Sequence, residues 1–233
     1  MRQKIILFSS ILATIILLAL AWRFGFTVVK IADVEQAVES ETFDPVAYVD
    51  GIWDSEIMPI FNDKAVELPT ILSEIEVGPD GTAIKDSLIP IVQKYGLVTA
   101  GDAHVYLVEG SGTISQVNTE TSLGTIEVTL DGYDGPIKVL IYIGPRIPSD
   151  ETSIREGVGF IYIGDFKDQM EYGQVGQEIN KRVLSQVLGN VDENSLLGRT
   201  IIFMGAFNIR TFNLIQIKLE EIRIVPVEIT LGE

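Results

Sequence analysis

The groups best suited to chemistry gather in one stretch of the chain, where Gly144 and Pro145 are followed by Arg155 and then by Asp165, Asp168 and Gln169. Arg155 offers a planar fork of donors, Asp168 an acceptor pair and Gln169 an amide, a set suited to a carboxylate, a phosphate or a polyhydroxyl ligand. Gly144-Pro145 ends a strand in a fixed turn beside them. The same residues have a plainer use. Asp165 at a helix start is an N-cap, Asp168 is a first-turn anion favoured by the helix dipole, and Arg155 is an internal salt-bridge partner. A further use is catalytic: two carboxyl groups among Asp165, Asp168 and Glu171, roughly 5 to 9.5 Å apart in one cleft, would suit glycosidic hydrolysis.

Other chemistry is poorly provided for. The chain has no cysteine, which removes a thiol nucleophile, a zinc-thiolate site and a lipidation site. Its one histidine, His104, stands on a predicted strand without an acidic or serine partner at a recognisable spacing, and reads as a surface or packing residue. Asp131 and Asp134 in the DGYDG segment fall short of a calcium loop and suit a hairpin turn. Gly110-Ser111-Gly112 lacks the Lys-Ser/Thr of a phosphate loop. Trp53 with Phe43, Tyr48 and Phe61 would line an apolar groove or stack on a sugar ring, although aromatic residues at helical spacing more often fill a core. These patterns predict no catalytic set, no metal site and no cofactor.

The elements that must position these groups change character near residue 100. Asp44-Pro45 predicts an N-capped helix with proline in its first turn, apolar at Val46, Val49, Ile52, Trp53 and Ile57 and limited by Pro59. Further helices are predicted around Leu68–Ile75 and Ser87–Tyr95, the second ending at Gly96. Strands follow: 104–109, 112–117, the alternating Gly124–Leu130, 138–143 stopped by Gly144-Pro145, and a short one at Gly159–Gly164. A helix over 166–188 comes next, opened by Asp165, and the tail adds strands over 199–207, 214–219 and 221–231. Three consecutive strands, a helix and closing strands predict a mainly β, α+β fold, a small antiparallel OB-like β-barrel. The expected organisation is a segment 1–23, a tether 24–42 with a solvated Glu35-Glu39-Glu41 face, a helical subdomain 43–100 and a barrel domain 101–233.

Residues 5–22 form an uncharged apolar run flanked by Arg2, Lys4 and Arg23. At 1.5 Å per residue this makes a helix of roughly 27 Å, close to the thickness of a bilayer core, so a transmembrane anchor is expected. The basic flank keeps the short N-terminus in the cytoplasm and sends the rest of the chain outward. Cleavage after Ala19-Leu20-Ala21 is the alternative, and it too exports the domain, secreted or periplasmic. The 17 Lys and Arg, less Arg2, Lys4 and Arg23, face 33 Asp and Glu downstream, a net charge of about −19. Nucleic acid, which binds through clustered cations, is therefore excluded as a partner.

Several segments together resemble an uncharacterised family of predicted bacterial periplasmic lipoproteins, whose members are often encoded beside sugar ABC-type transporters. They are Tyr48-Val49-Asp50-Gly51-Ile52-Trp53 with Pro59, Gly112-Thr113-Ile114, Ile143-Gly144-Pro145 through Ser153-Ile154-Arg155-Glu156 to Gly159-Phe160-Ile161, Asp165 to Tyr172, and Gly198-Arg199 through Gly205-Ala206-Phe207 to Pro226-Val227. Their shared order spans most of residues 43–231. The resemblance implies an OB-like fold and an extracytoplasmic place, and brings no catalytic residue. One departure matters: the lipobox cysteine is missing, so the uncleaved helix would replace a lipid anchor. The function expected is a non-enzymatic accessory or solute-sensing module, with the membrane and an ABC-type transporter or solute-binding protein as partners. A carboxylate-dependent envelope hydrolase and a structural envelope interaction protein are the alternatives.

Overall fold

The computed structural model describes residues 43–189, 191–192 and 195–232. The apolar run 5–22 and the tether lie outside them, and among the described residues no helix is long and apolar enough to cross a membrane.

Asp44 caps the first helix, α1 (Pro45–Ile52), by accepting from the backbone of Val46 and Ala47, with Pro45 at the start where its missing N–H costs nothing. Pro59 does not stop the helical path. A π-helical turn, Trp53–Ile57, carries it into α2 (Met58–Lys64), where Pro59 occupies the first turn. After β1 (Val66–Glu67) come α3 (Leu68–Glu74), β2 (Thr82–Ile84), α4 (Lys85–Tyr95) and the three-residue β3 (Gly96–Val98).

Next is β4 (Ala103–Asn118), one strand of 16 residues where two were expected. Its glycines are places of close approach, not breaks: a Cβ on Gly112 would stand 2.3 Å from the Thr129 carbonyl of the neighbouring strand. Then follow β5 (Thr125–Leu130), β6 (Lys138–Tyr142), α5 (Ser153–Gly157), a 3-10 turn (Ile163–Asp165), α6 (Gln169–Arg182), a π-helical turn (Val183–Val187), β7 (Thr200–Arg210), β8 (Gln216–Lys218) and β9 (Glu221–Leu231). The expected strand at 159–164 does not form. The backbone there finds no ladder partner and closes into the 3-10 turn.

The sheet runs β4-β5-β6-β9-β7 and returns to β4 through eleven β4–β7 residue pairs, from Ala103 opposite Arg210 to Thr113 opposite Thr200. This closes a five-stranded barrel with α6 inserted between its third and fourth strands, the OB order. It is not wholly antiparallel, since β6 and β9 pair in parallel. Tyr106, Ile114, Ile126, Ile141, Phe203, Phe207 and Ile224 fill the barrel, and Leu68, Leu72, Leu88 and Val92 of the helices join the same apolar cluster. Tyr106 stacks on Phe207 at 5.0 Å. His104 is fully buried, with Nδ1 unpartnered, which makes it a packing residue and not a surface one. Burial lowers its pKa, since the charged imidazolium would lose its water. On the outside, α1 docks against α6 through the Arg182–Asp50 ion pair, with the guanidinium 5.3 Å from the Trp53 ring centre.

Candidate functional site

Outside the barrel lies a cleft of about 520 Å³ with two extended walls. One wall is β3 and the loop after it, Leu97–Gly101; the other is Gly159 with Ile161–Ile163; Glu156 and Tyr172 close it. Leu97, Val98, Tyr162 and Ile163 are all exposed here, Val98 by 54% and Tyr162 by 61%. Large apolar groups gathered around one recess mark a binding surface more than scattered ones do.

A buried arginine supports the cleft from behind. Arg155 on α5 is 7% exposed, and its guanidinium lies 3.7 Å from the centre of the Tyr172 ring. Nη1 donates to the Tyr172 carbonyl at 2.9 Å and Nη2 to Glu156 Oε1 at 3.3 Å, while Nε is buried without a partner. Gly176 on α6 makes room, because a Cβ there would stand 3.1 Å from Nη1. Burial raises the Tyr172 phenol above its ordinary pKa, with Arg155 pulling it down and Glu156 pushing it up. Phe166 completes an aromatic row, 5.8 Å from Tyr172 and 5.4 Å from Tyr48.

None of the other residues singled out in the sequence as a binding site lines this cleft. Asp168, not Asp165, is the N-cap of the long helix: its Oδ1 accepts from Met170 at 2.8 Å and Glu171 at 3.0 Å. Asp165 instead folds the 3-10 turn by accepting from the Tyr162 N–H at 3.1 Å. Gln169 is the exposed first residue of α6. Gly144 and Pro145 stand apart, where Gly144, at φ +93°, packs under Leu184. Glu171 accepts from the Lys167 N–H at 3.0 Å. The three carboxylates named for hydrolysis thus each bind backbone donors, and none reaches the cleft. Sequence reasoning missed Leu97, Val98, Glu156, Tyr162 and Tyr172. The signal for Tyr162 was present in the apolar GFIYIG segment, a β-prone run without a sheet to enter.

A model of the predicted periplasmic lipoprotein family DUF2291 matches residues 14–230. The chain belongs to that family. Membership supports an extracytoplasmic place for the folded part, and the absence of cysteine from the 233 residues sets this member apart from the lipid-linked description. Among solved structures, an OB-fold protein from Thermotoga maritima superposes with a TM-score of 0.59 at 15% identity, covering 82% of this chain and 100% of that one. That likeness concerns the fold alone. No curated protein matches.

Proposed function

We infer that this chain is a non-enzymatic, extracytoplasmic binding module, held at the membrane by the apolar segment 5–22 and using the Tyr162–Tyr172 cleft to take up its ligand. One observation carries the reading: two tyrosines and three exposed aliphatic side chains line a single recess, braced from behind by a buried arginine stacked on the Tyr172 ring and bonded to the Tyr172 carbonyl. Aromatic faces beside a carboxylate suit ligands with an apolar face and a polar edge. The family resemblance supports a place beside a sugar ABC-type transporter or its solute-binding protein, as an accessory or solute-sensing component.

The test is a thermal-shift series on the full-length chain in detergent, against sugars, nucleosides and short peptides, repeated with Tyr162→Ala. A ligand at a hundred times its Kd adds about 2.7 kcal/mol to stability, which for a chain of this size raises Tm by roughly 5 to 11 °C. Wild type is expected to shift with at least one class and Tyr162→Ala not to. A flat response throughout, or an equal shift in the variant, contradicts the reading.

A further inference from the structure

We propose that the cleft receives an extended peptide segment of a partner protein as an added β-strand, lying between β3 and the 159–163 segment with a carboxylate of that peptide at Lys64. The proposal rests on the cleft being the ligand site and names the class of ligand.

Both walls carry backbone groups with nothing to bond. Among the described residues β3 pairs with β4 on one side and with no strand on the other. The Thr99 N–H donates to the Ala103 carbonyl, and the register places Leu97 opposite Val105, so residues 99 and 97 share the phase whose polar groups face β4. In an antiparallel ladder the intervening residues point theirs the other way. Gly96 spends its N–H on the Val92 carbonyl at the end of α4. The N–H and C=O of Val98 are left facing outward, on the wall of the cleft.

Across from them, Tyr162 is extended at φ −107° and ψ 145°, in a segment whose sequence predicts a strand. Gly159 and Tyr162 are locally satisfied: the Gly159 N–H donates to Glu156, its carbonyl accepts from the Tyr162 hydroxyl, and the Tyr162 N–H and C=O bond Asp165. The peptide groups of Phe160 and Ile161 have no hydrogen-bond partner among the described residues, although Ile161 is only 4% exposed. More than nine in ten buried backbone groups are paired; Phe160 is half-buried and shares the phase of Tyr162, so it is the groups of Ile161, buried on the cleft wall, that stand as an unfilled strand position opposite the unpaired sheet edge. Strand addition satisfies such groups, and the recesses between Leu97, Val98, Tyr162, Ile163 and Tyr172 would take alternate side chains of the incomer.

Charge gives the carboxylate its place. A second recess of about 280 Å³ adjoins the first through Leu97, with Val66, Val105 and Leu107 on its walls and Lys64 and Lys94 among its lining. Lys94 is paired with Glu74 at 2.7 Å, whereas Lys64 makes no ion pair among the described residues. In a chain of net charge −16, an unpaired cation over an apolar recess selects an acidic side chain or a C-terminal carboxylate.

The experiment uses the full-length chain in detergent micelles and pools of hexapeptides alternating β-branched and threonine residues, with a free C-terminal carboxylate, read by fluorescence anisotropy. The tightest sequence is then remade with single backbone N-methyl groups and with an amidated terminus. Methylation at the positions that meet Val98 on one side and Ile161 on the other should weaken binding at least tenfold, and at positions beyond the ends of the two walls less than twofold. Hydrogen exchange at Val98 and Ile161 should slow on binding. Lys64→Gln should weaken the acid peptide several-fold and leave the amidated one unchanged. Peptide binding indifferent to N-methylation overturns strand addition while leaving the cleft as the ligand site. Sugars that bind where no peptide does have the same effect. Protection at Val98 that rises with protein concentration alone replaces the partner with a second copy. No binding by any class removes both readings.

Discussion

Replacing Arg155 with methionine keeps most of the side-chain volume and removes the charge, so the loss can be worked from its contacts. The guanidinium 3.7 Å from the Tyr172 ring centre is desolvated, and such a cation–π contact is worth about 2 kcal/mol. The 2.9 Å bond to the Tyr172 carbonyl is charge-assisted, about 1.5 to 3 kcal/mol, and its loss leaves that acceptor without a donor. The longer contact to Glu156, at 3.3 Å, adds about 1 kcal/mol at most. Methionine regains some packing and frees the molecule of the unpartnered Nε. The net expectation for Arg155→Met is a destabilisation of about 3 to 4 kcal/mol, or roughly 6 to 16 °C in Tm for a chain of this length. Arg155→Lys, which keeps charge without the fork, should lose about half as much. Urea unfolding followed by tryptophan fluorescence measures both. If Arg155→Met costs less than about 1 kcal/mol, the arginine is not a brace and is free to serve as a ligand-binding group.

Asp168→Ala removes the side-chain cap of α6 and should cost about 1 kcal/mol, whereas Asp168→Asn should cost little; urea midpoints will separate them. Gly112→Ala places a methyl group 2.3 Å from the Thr129 carbonyl between paired strands and should cost at least about 2 kcal/mol by the same measurement. Burial raises the Glu151 carboxyl above its ordinary pKa, against hydrogen bonds from Ser153 that lower it. Because the folded pKa is the higher one, the stability contributed by the protonated form is full below the unfolded value of about 4.3 and is lost as pH rises through the folded value. Glu151→Gln should therefore be the more stable protein at pH 7, with the advantage shrinking as pH falls toward 4; Tm against pH decides, and a constant difference would refute the assignment.

The barrel order was legible because its signals are local. Alternation in Gly124–Leu130, the DGYDG turn and the Gly144-Pro145 stop mark strands and their ends without help from the rest of the chain. Errors arose where a tertiary requirement gives a residue a meaning its neighbours do not reveal. Gly110 and Gly112 read as breaks, yet they are points where a continuous strand presses against Phe203, Leu130 and Thr129. Asp165 and Asp168 are both plausible caps by composition, and the choice fell to Asp168 once Asp165 was taken by the Tyr162 N–H. The candidate residues were gathered by nearness in sequence, and Arg155 was found that way because it falls between Gly144-Pro145 and Asp165. The opposite wall, Leu97 and Val98, comes from a strand on the far side of β4, β5 and β6 in the chain, and only the fold brings it there.

The functional reading depends first on where the folded part resides. Protease added to intact spheroplasts of a bacterium expressing the full chain should degrade it, while a cytoplasmic marker survives and the fragment holding residues 5–22 stays with the membrane. A chain that resists until the spheroplasts are lysed would place the barrel and its cleft inside the cell and contradict the extracytoplasmic module.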